Sequence, residues 1–299
     1  MEELQIRLFG FFQISLGAVE ISDPVSPKAQ EFLGLLLLAP QRSILREVAA
    51  ESLWPCSPPD ASKKAIRQVL WQIHQWTDVD LHEDPRLVLT DGNRLLINPN
   101  RRLWADVASF REAARAAQVR TVSDLAEREL ASLGRAADLR RGSLLAGCDA
   151  EWCLVEREHL DNLHITMLDK LSVAHERRGE FELAIHWTQA LLDVEPAHER
   201  SHRRLMQLYY NTDDRTRALR QYHRCRWVLE NELGVRPSAR TESLAAAIRA
   251  GSGEPEDAPR PAHRLAIATA DMLDSLRVEL GALRTSVDAL REQICKSLA

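Results

Sequence analysis

The chain has 299 residues, of which 45% are hydrophobic and 28% charged, which is enough apolar material for two domains with separate cores. Its net charge of −5 excludes a protein that coats nucleic acid by bulk attraction. The N-terminus has no basic segment before an apolar one, and the longest apolar run is far shorter than the roughly 20 residues that cross a bilayer, so we expect a cytoplasmic protein.

The N-terminal region mixes strand and helix patterns. LQIRLFGFFQISLGAVEIS alternates apolar and polar residues around Gly17, which predicts short antiparallel strands. KAQEFLGLLLLAP predicts a helix that ends at Pro40. SILREVAAESLWP predicts a second helix that opens on Ser43, has Glu47 as an acid in its first turn and ends at Pro55.

After the loop CSPPDAS, the segment AIRQVLWQIHQW (residues 65–76) predicts a third helix, with Asp60 or Ser62 as its N-cap. Its apolar residues recur at helical spacing, at Ile66, Val69, Leu70, Ile73 and Trp76. RLVLT and RLLIN flank DGN, in which Asp-Gly is a strong hairpin signal. Strands, three helices and a terminal hairpin predict a winged helix, whose second and third helices form a helix-turn-helix.

Residues from ADVASFREAARAA to about Ala250 have an almost unbroken helical pattern. Leu171 and Leu205, and likewise Ala184 and Ala218, are about 34 residues apart, which is the tetratricopeptide period. The alternative is an ordinary helical bundle with chance spacing, and two matched pairs favour the repeat. Such repeats stack into a surface for partners and do not require catalysis.

The C-terminal region is rich in Gly, Pro and acids and then has a heptad pattern, which predicts a flexible linker followed by a helix. Apolar residues alternate at spacings of three and four, which favours a parallel dimer; the alternative is one amphipathic helix that packs on the repeats. The residues expected to mediate oligomerisation are Leu273, Leu276, Leu280, Leu283, Val287, Leu290 and Ile294.

The sequence contains no pattern typical of catalysis or cofactor binding. The five cysteines are scattered without zinc spacing, and there is no phosphate-binding glycine loop, HExxH motif or nucleophile elbow. We therefore expect no catalytic residues, no metal and no cofactor, and an enzyme is the least favoured class. Trp152 and Trp187 are interpreted as packing residues, and Arg203 and Arg204 as a solvated helix face.

Several segments together resemble the bacterial transcriptional activator domain family, with the architecture of the Streptomyces antibiotic regulatory proteins. The resemblance covers about residues 4–249 in order, and its most specific parts are WCLVERE and YHRCRWVLENELGVRP. The other segments that carry it are LQIRLFGFFQI, SPKAQEFLGLLLL, RSILREVAAESLWP, AIRQVLWQI, ADVASFREAARAA, GSLLAGCDAEWCLVERE and GEFELAIHWTQALLDVEPAHERSHRRLMQLYYN.

The family implies a DNA-binding transcriptional regulator, most often an activator, that binds repeated promoter elements as a dimer or higher oligomer and recruits RNA polymerase. The resemblance implies a winged helix joined to a tetratricopeptide-like domain. With the heptad helix, which lies outside the resemblance and is predicted from its spacing alone, the fold is expected to be mainly α. The resemblance also implies that the loop CSPPDAS contacts the polymerase. The predicted boundaries are residues 1–104 for the winged helix, 105–250 for the repeat domain, 251–264 for the linker and 265–299 for the oligomerisation helix.

The outer side of the third predicted helix has the donors and cations that a recognition helix needs. On this basis Arg67 would bind guanine, Gln68 or Gln72 adenine, and Trp71 a sugar or thymine methyl. Cations near helix starts and at the hairpin tip would bind phosphate. The predicted DNA-binding residues are Ser43, Arg46, Lys63, Lys64, Arg67, Gln68, Trp71, Gln72, Gln75 and Arg94.

The sequence departs from the family in this helix. Family members continue with a basic segment similar to SRLRR, whereas here Gln72, His74 and Gln75 stand in place of arginines. Fewer phosphate contacts mean weaker binding and a smaller salt dependence, which dimerisation through the tail would offset. The alternative function is an adaptor or signalling scaffold whose winged helix docks onto protein.

Overall fold

A computed structural model describes residues 3–21, 26–77, 86–119, 121–122 and 125–251. The predicted linker beyond Gly251, the heptad helix with its seven oligomerisation residues, and the acid-rich segment 78–85 lie outside the described residues. Contacts divide the chain into two compact units. Unit 1 is Met1–Ala114 with Ala131–Met167, and unit 2 is Arg115–Leu130 with Leu168–Ala299.

The described residues are mainly helical, with two small sheets in the N-terminal region. In chain order the elements are β1 (Leu4–Arg7), β2 (Gln13–Leu16), β3 (Val19–Glu20), α1 (Pro27–Leu38), β4 (Ser43–Leu45), α2 (Arg46–Leu53), α3 (Pro59–Thr77), β5 (Val88–Asp91), β6 (Arg94–Ile97), β7 (Leu103–Ala105), α4 (Asp106–Val119), α5 (Glu127–Asp138), α6 (Glu151–Arg177), α7 (Phe181–Val194), α8 (Glu199–Asn211), α9 (Arg215–Val228) and α10 (Ala239–Ala250).

The first sheet in unit 1 has the strand order β3-β2-β1-β7. The predicted antiparallel strands are present, and Gly17 takes a positive φ of 58° at the turn between β2 and β3, a conformation that glycine adopts without steric cost. Strand β7 pairs in parallel with β1, with Leu4 opposite Leu103. This fourth strand was not among the predicted elements.

The second sheet has the order β4-β6-β5 and lies with α1, α2 and α3 in unit 1. The predicted hairpin is confirmed: β5 and β6 are antiparallel, and Gly92 at their turn has a φ of +53°. The side chains of Phe32 in α1, Ile66 and Ile73 in α3 and Leu95 in β6 have no solvent exposure. Because these side chains share one core, α3 and the hairpin are held in fixed positions relative to each other.

Two predicted helix starts are wrong. Ser43 does not open a helix, because Ser43–Leu45 forms β4 and pairs with β6, and α2 begins only at Arg46. Neither Asp60 nor Ser62 caps α3, since that helix begins at Pro59, a residue favoured in the first turn because its fixed φ suits the helix. The hydroxyl of Ser62 instead donates to the carbonyl of Pro58 at 3.2 Å.

Unit 2 contains helical hairpins that repeat with the predicted period. Helices α7 and α9 both have fourteen residues, and they start 34 residues apart. The turns before them contain Gly179, with a φ of +75°, and at the matching place Asp213, with a φ of +60°. The predicted matched residues Leu171, Leu205, Ala184 and Ala218 are all at most 2% exposed.

The expectation for Arg203 and Arg204 is wrong. Arg204 is 10% exposed and pairs with Asp169 at 2.5 Å, and Arg203 bonds to Thr241 at 3.2 Å. In contrast, Trp187 is 8% exposed and Trp152 is half-buried, as their packing roles predicted. Within the described ranges, no helix is long and apolar enough to cross a membrane, and no three His, Cys, Asp or Glu residues are grouped as metal ligands.

One buried histidine makes stability depend on pH. In unit 1 the His164 ring lies 5.8 Å from the Phe110 ring, and its Nδ1 is 3.3 Å from the Arg140 guanidinium. Burial, and then the charge of Arg140, lower the pKa of His164 to about 4. The unfolded chain therefore binds a proton near pH 6.5 that the folded chain does not take up until about pH 4.

We therefore expect the free energy of unfolding to decrease as the pH falls from about 6.5 to 4, and His164→Gln to flatten part of this decrease. Denaturant unfolding of both proteins at several pH values measures the two slopes. The pKa values of His198 and His202 are also lowered chiefly by burial. These two residues therefore add the same pH dependence to the unfolding free energy of both proteins. Equal slopes in wild type and variant would contradict the prediction.

Candidate nucleic-acid interface

Helix α3 separates an apolar side from a polar one. Ile66, Val69, Leu70 and Ile73 are at most 9% exposed, which confirms the predicted inner side for these residues. The indole of Trp71 is 62% exposed, although burial of a side chain of this size would be favourable. The polar side, here named the α3 stripe, consists of Lys64, Arg67, Gln68, Trp71 and Gln75, all exposed.

The C-terminal end of α3 is held in place by hydrogen bonds. The Thr77 hydroxyl donates to the carbonyl of Ile73 at 2.9 Å, and the buried guanidinium of Arg101 donates to the carbonyl of Thr77 at 3.2 Å. A cation at this end satisfies carbonyls that have no partner in the helix and opposes the negative end of the helix dipole. Arg101 follows the hairpin in the chain and was not among the predicted functional residues.

Two polar residues of α3 have partners within unit 1. The Oε1 of half-buried Gln72 accepts a hydrogen bond from the hydroxyl of Ser26, just before α1, at 2.6 Å. The His74 Nε2 donates to the carbonyl of Val88 in β5 at 3.2 Å. Gln72 therefore has its amide oxygen committed to a contact with another element, and His74 joins the helix to the hairpin.

The structure also brings together three predicted phosphate-binding residues. The Arg94 Nε donates to the Ser43 hydroxyl at 3.2 Å, because β6 lies beside β4. The Arg46 backbone N–H donates to the carbonyl of Asn93 at 2.8 Å. Ser43, Arg46 and Arg94 thus form a second group, here named the hairpin-tip cluster. Strand β4, which sequence reasoning missed, is what joins them.

The predicted DNA-binding cations differ in whether their charge is paired. Lys63 pairs with Asp60 at 3.8 Å, and the Arg67 Nε donates to the Lys63 carbonyl at 3.3 Å. Among the residues that the structure describes, no carboxylate forms an ion pair with Arg46, Lys64, Arg67 or Arg94. Exposed Asp91, however, is the cross-strand neighbour of Arg94. The negative charge of Asp91 would repel an anion at the hairpin tip.

Comparison with known proteins gives a match to one domain, two similar regulatory proteins and a solved structure of similar fold. Residues 105–249 match the bacterial transcriptional activator domain. The chain is 26% identical to the regulatory protein AfsR of Streptomyces coelicolor over 221 residues, which are 73% of this chain but 22% of AfsR. It is 26% identical to the regulatory protein DnrI of Streptomyces peucetius over 278 residues, which are 89% of this chain and 100% of DnrI.

A solved structure of Mycobacterium tuberculosis EmbR, in complex with a low affinity phosphopeptide, has a similar fold. Its TM-score is 0.67 and its identity 21%, over 92% of this chain and 72% of the EmbR chain. At this identity the likeness supports the overall fold.

Proposed function

The chain carries a bacterial transcriptional activator domain at residues 105–249, as the sequence resemblance predicted, and from this we infer that it is a transcriptional regulator that binds DNA through its N-terminal region. The observation that carries DNA binding is the α3 stripe. It offers two cations that form no ion pair with any described residue, two amides and an exposed indole on one side of a helix whose other side is buried. These are the groups with which a recognition helix contacts base edges and phosphates.

In this proposal residues 1–104 form a winged helix, with α2 and α3 as its helix-turn-helix and β5–β6 as its wing. Helix α3 enters the major groove, where Arg67 pairs with guanine and Gln68 with adenine. Gln72 reaches a base only with its free amide group. The hairpin-tip cluster contacts the phosphate backbone beside the groove.

The remaining parts serve activation and assembly. The helical hairpins of residues 105–250 form a tetratricopeptide-like domain that presents surfaces to other proteins. The loop CSPPDAS, whose exposed residues 56–58 lie between α2 and α3, is the proposed contact with RNA polymerase. The heptad residues of the tail would join two chains, so that a second half-site binds at high effective concentration. The protein then acts as a cytoplasmic activator on repeated promoter elements.

An adaptor function is the second candidate, and the acidic residues near the site favour it. Asp91 lies opposite Arg94, and Glu47 and Glu51 are exposed on α2. Carboxylates facing a phosphate backbone would oppose binding, whereas a protein partner would tolerate them. In that case Trp71 would be the centre of a docking surface for protein.

Selection of bound genomic DNA fragments by the full-length protein tests the proposal. We expect a repeated sequence to be enriched, and Arg67→Ala to lower its enrichment over random DNA by about 10- to 100-fold, since a bidentate contact to guanine contributes roughly 1–3 kcal/mol of discrimination. Arg102→Ala is the control, because it removes an equal and exposed charge outside both groups. Folded wild type that enriches no sequence would favour the adaptor.

A further inference from the structure

Helix α9 concentrates positive charge in a protein of net charge −5. Its fourteen residues, RTRALRQYHRCRWV, include five arginines and no carboxylate. Three of these arginines have partners: Arg215 donates to the carbonyl of Arg249, Arg217 pairs with Asp214 at 3.4 Å, and Arg226 pairs with Glu230 at 2.8 Å. The other two arginines, Arg220 and Arg224, form no ion pair with any residue that the structure describes.

Arg220 and Arg224 lie on the outer side of α9. The inner side packs into unit 2 through Ala218, Tyr222 and Cys225, all at most 4% exposed. Arg220, Arg224 and Trp227 follow one another at intervals of four and three residues, so their side chains share one side of the helix, here named the α9 face. All three are exposed, and the Trp227 indole is 63% exposed.

Neither arginine of the α9 face is neutralised by an ion pair among the residues that the structure describes. The two arginines are about 6 Å apart along the helix axis. Phosphates of one DNA strand follow one another about every 3.4 Å along the DNA axis, so this distance corresponds to about two phosphate steps. An exposed indole beside them offers apolar contact with a sugar.

We propose that the α9 face is a second DNA contact, in which Arg220 and Arg224 bind backbone phosphates and Trp227 lies against deoxyribose. The proposal rests on the proposed DNA binding and deepens it. The α3 stripe and hairpin-tip cluster together supply four cations that no described carboxylate pairs with, namely Arg46, Lys64, Arg67 and Arg94. Two further phosphate contacts raise affinity without adding sequence selectivity.

Fluorescence anisotropy with the full-length protein tests this contact. Two labelled duplexes are compared, one with the enriched sequence and one scrambled, between about 50 and 200 mM salt. The variant Arg220→Ala/Arg224→Ala is expected to weaken binding to both duplexes and to reduce the slope of log K against log salt by about 1.8, since each phosphate contributes about 0.9. The ratio of the two affinities should stay unchanged.

The matched control is Arg215→Ala/Arg226→Ala, which removes the same charge from α9 but outside the α9 face. It should leave the slope near that of wild type, and circular dichroism confirms that each variant is folded. If both double variants have the wild-type slope and affinity, the α9 contact is wrong while the proposed function stands. If binding depends on the α9 face but the two duplexes bind equally, the contact is confirmed and sequence reading is wrong. Wild type that binds neither duplex overturns both.

Discussion

Asp106→Ala is expected to lower the free energy of unfolding of the full chain by about 3 kcal/mol or more. The Asp106 carboxylate is 3% exposed and accepts hydrogen bonds from three backbone N–H groups. Leu8 donates at 2.9 Å, Phe9 at 3.0 Å and Val107 at 2.6 Å. Alanine would leave these donors buried without an acceptor, and each such group costs roughly 1–3 kcal/mol.

Asp106→Asn separates the loss of charge from the loss of the acceptor. Burial raises the pKa of Asp106 more than its three backbone hydrogen bonds lower it, so a neutral group is tolerated at this position. We therefore expect asparagine, which keeps one carbonyl oxygen, to destabilise less than alanine. Urea unfolding followed by circular dichroism measures both variants against Glu112→Ala, an exposed position on the same helix. An alanine variant as stable as this control would refute the role of Asp106.

The position of Asp106 explains why a local loss would affect the proposed interface. Asp106 begins α4, at the start of the activator domain match, and it binds the chain directly after β1. Further along the match, the N–H of Leu145 donates to the carbonyl of Leu8 at 2.7 Å, and that of Ala146 donates to the carbonyl of Gly10 at 2.7 Å. Unit 1 therefore combines the N-terminal sheet with parts of the activator domain, and α3 folds within it.

The features that the sequence predicted well are those set by local periodicity. The apolar spacing of α3 identified both its buried and its exposed side, and Asp-Gly located the hairpin. The 34-residue period in unit 2 followed from Leu171, Leu205, Ala184 and Ala218, which occupy equivalent buried places. In each case the signal lies within one short stretch of the sequence or in matched copies of such a stretch.

The features that the sequence did not reveal depend on distant partners. Strands β4 and β7 have three residues each, which is too short to show alternation, and β7 pairs with a strand about a hundred residues away. For the same reason the contact of Ser43 with Arg94 was not expected. Gln72 has a helical position typical of the outer side, yet Ser26 from another element occupies its oxygen.

Arg204 is the clearest case of a residue whose environment only the fold reveals. Long polar side chains at helical spacing usually lie in solvent, but α8 places Arg204 against α6. Its NH1 lies 2.5 Å from Asp169 and 3.5 Å from the Ser172 hydroxyl, and its Nε lies 3.4 Å from Glu176. These three partners occupy one side of α6. Arg204 thus joins two helices of the activator domain.

Arg204→Ala is expected to destabilise the protein by about 3 kcal/mol, because it removes the cation that pairs with two half-buried carboxylates. Arg200→Ala is the matched control: Arg200 is on the same helix, is 64% exposed and lies 4.0 Å from Asp169. We expect its effect to stay below about 1 kcal/mol, as for other exposed ion pairs. Denaturant unfolding at neutral pH compares the two variants, and equal losses would contradict a special role for Arg204.

The pH dependence of this loss distinguishes electrostatics from packing. In wild type, burial raises the pKa of Glu176 and Arg204 lowers it, so removing Arg204 raises it further. A carboxyl whose folded pKa lies above its unfolded value gains stability as the pH falls, because the folded state binds the proton first. The difference in unfolding free energy between wild type and Arg204→Ala should therefore decrease from pH 7 toward pH 4. A difference that is constant across this range would mean that Arg204 acts through packing of its alkyl chain alone.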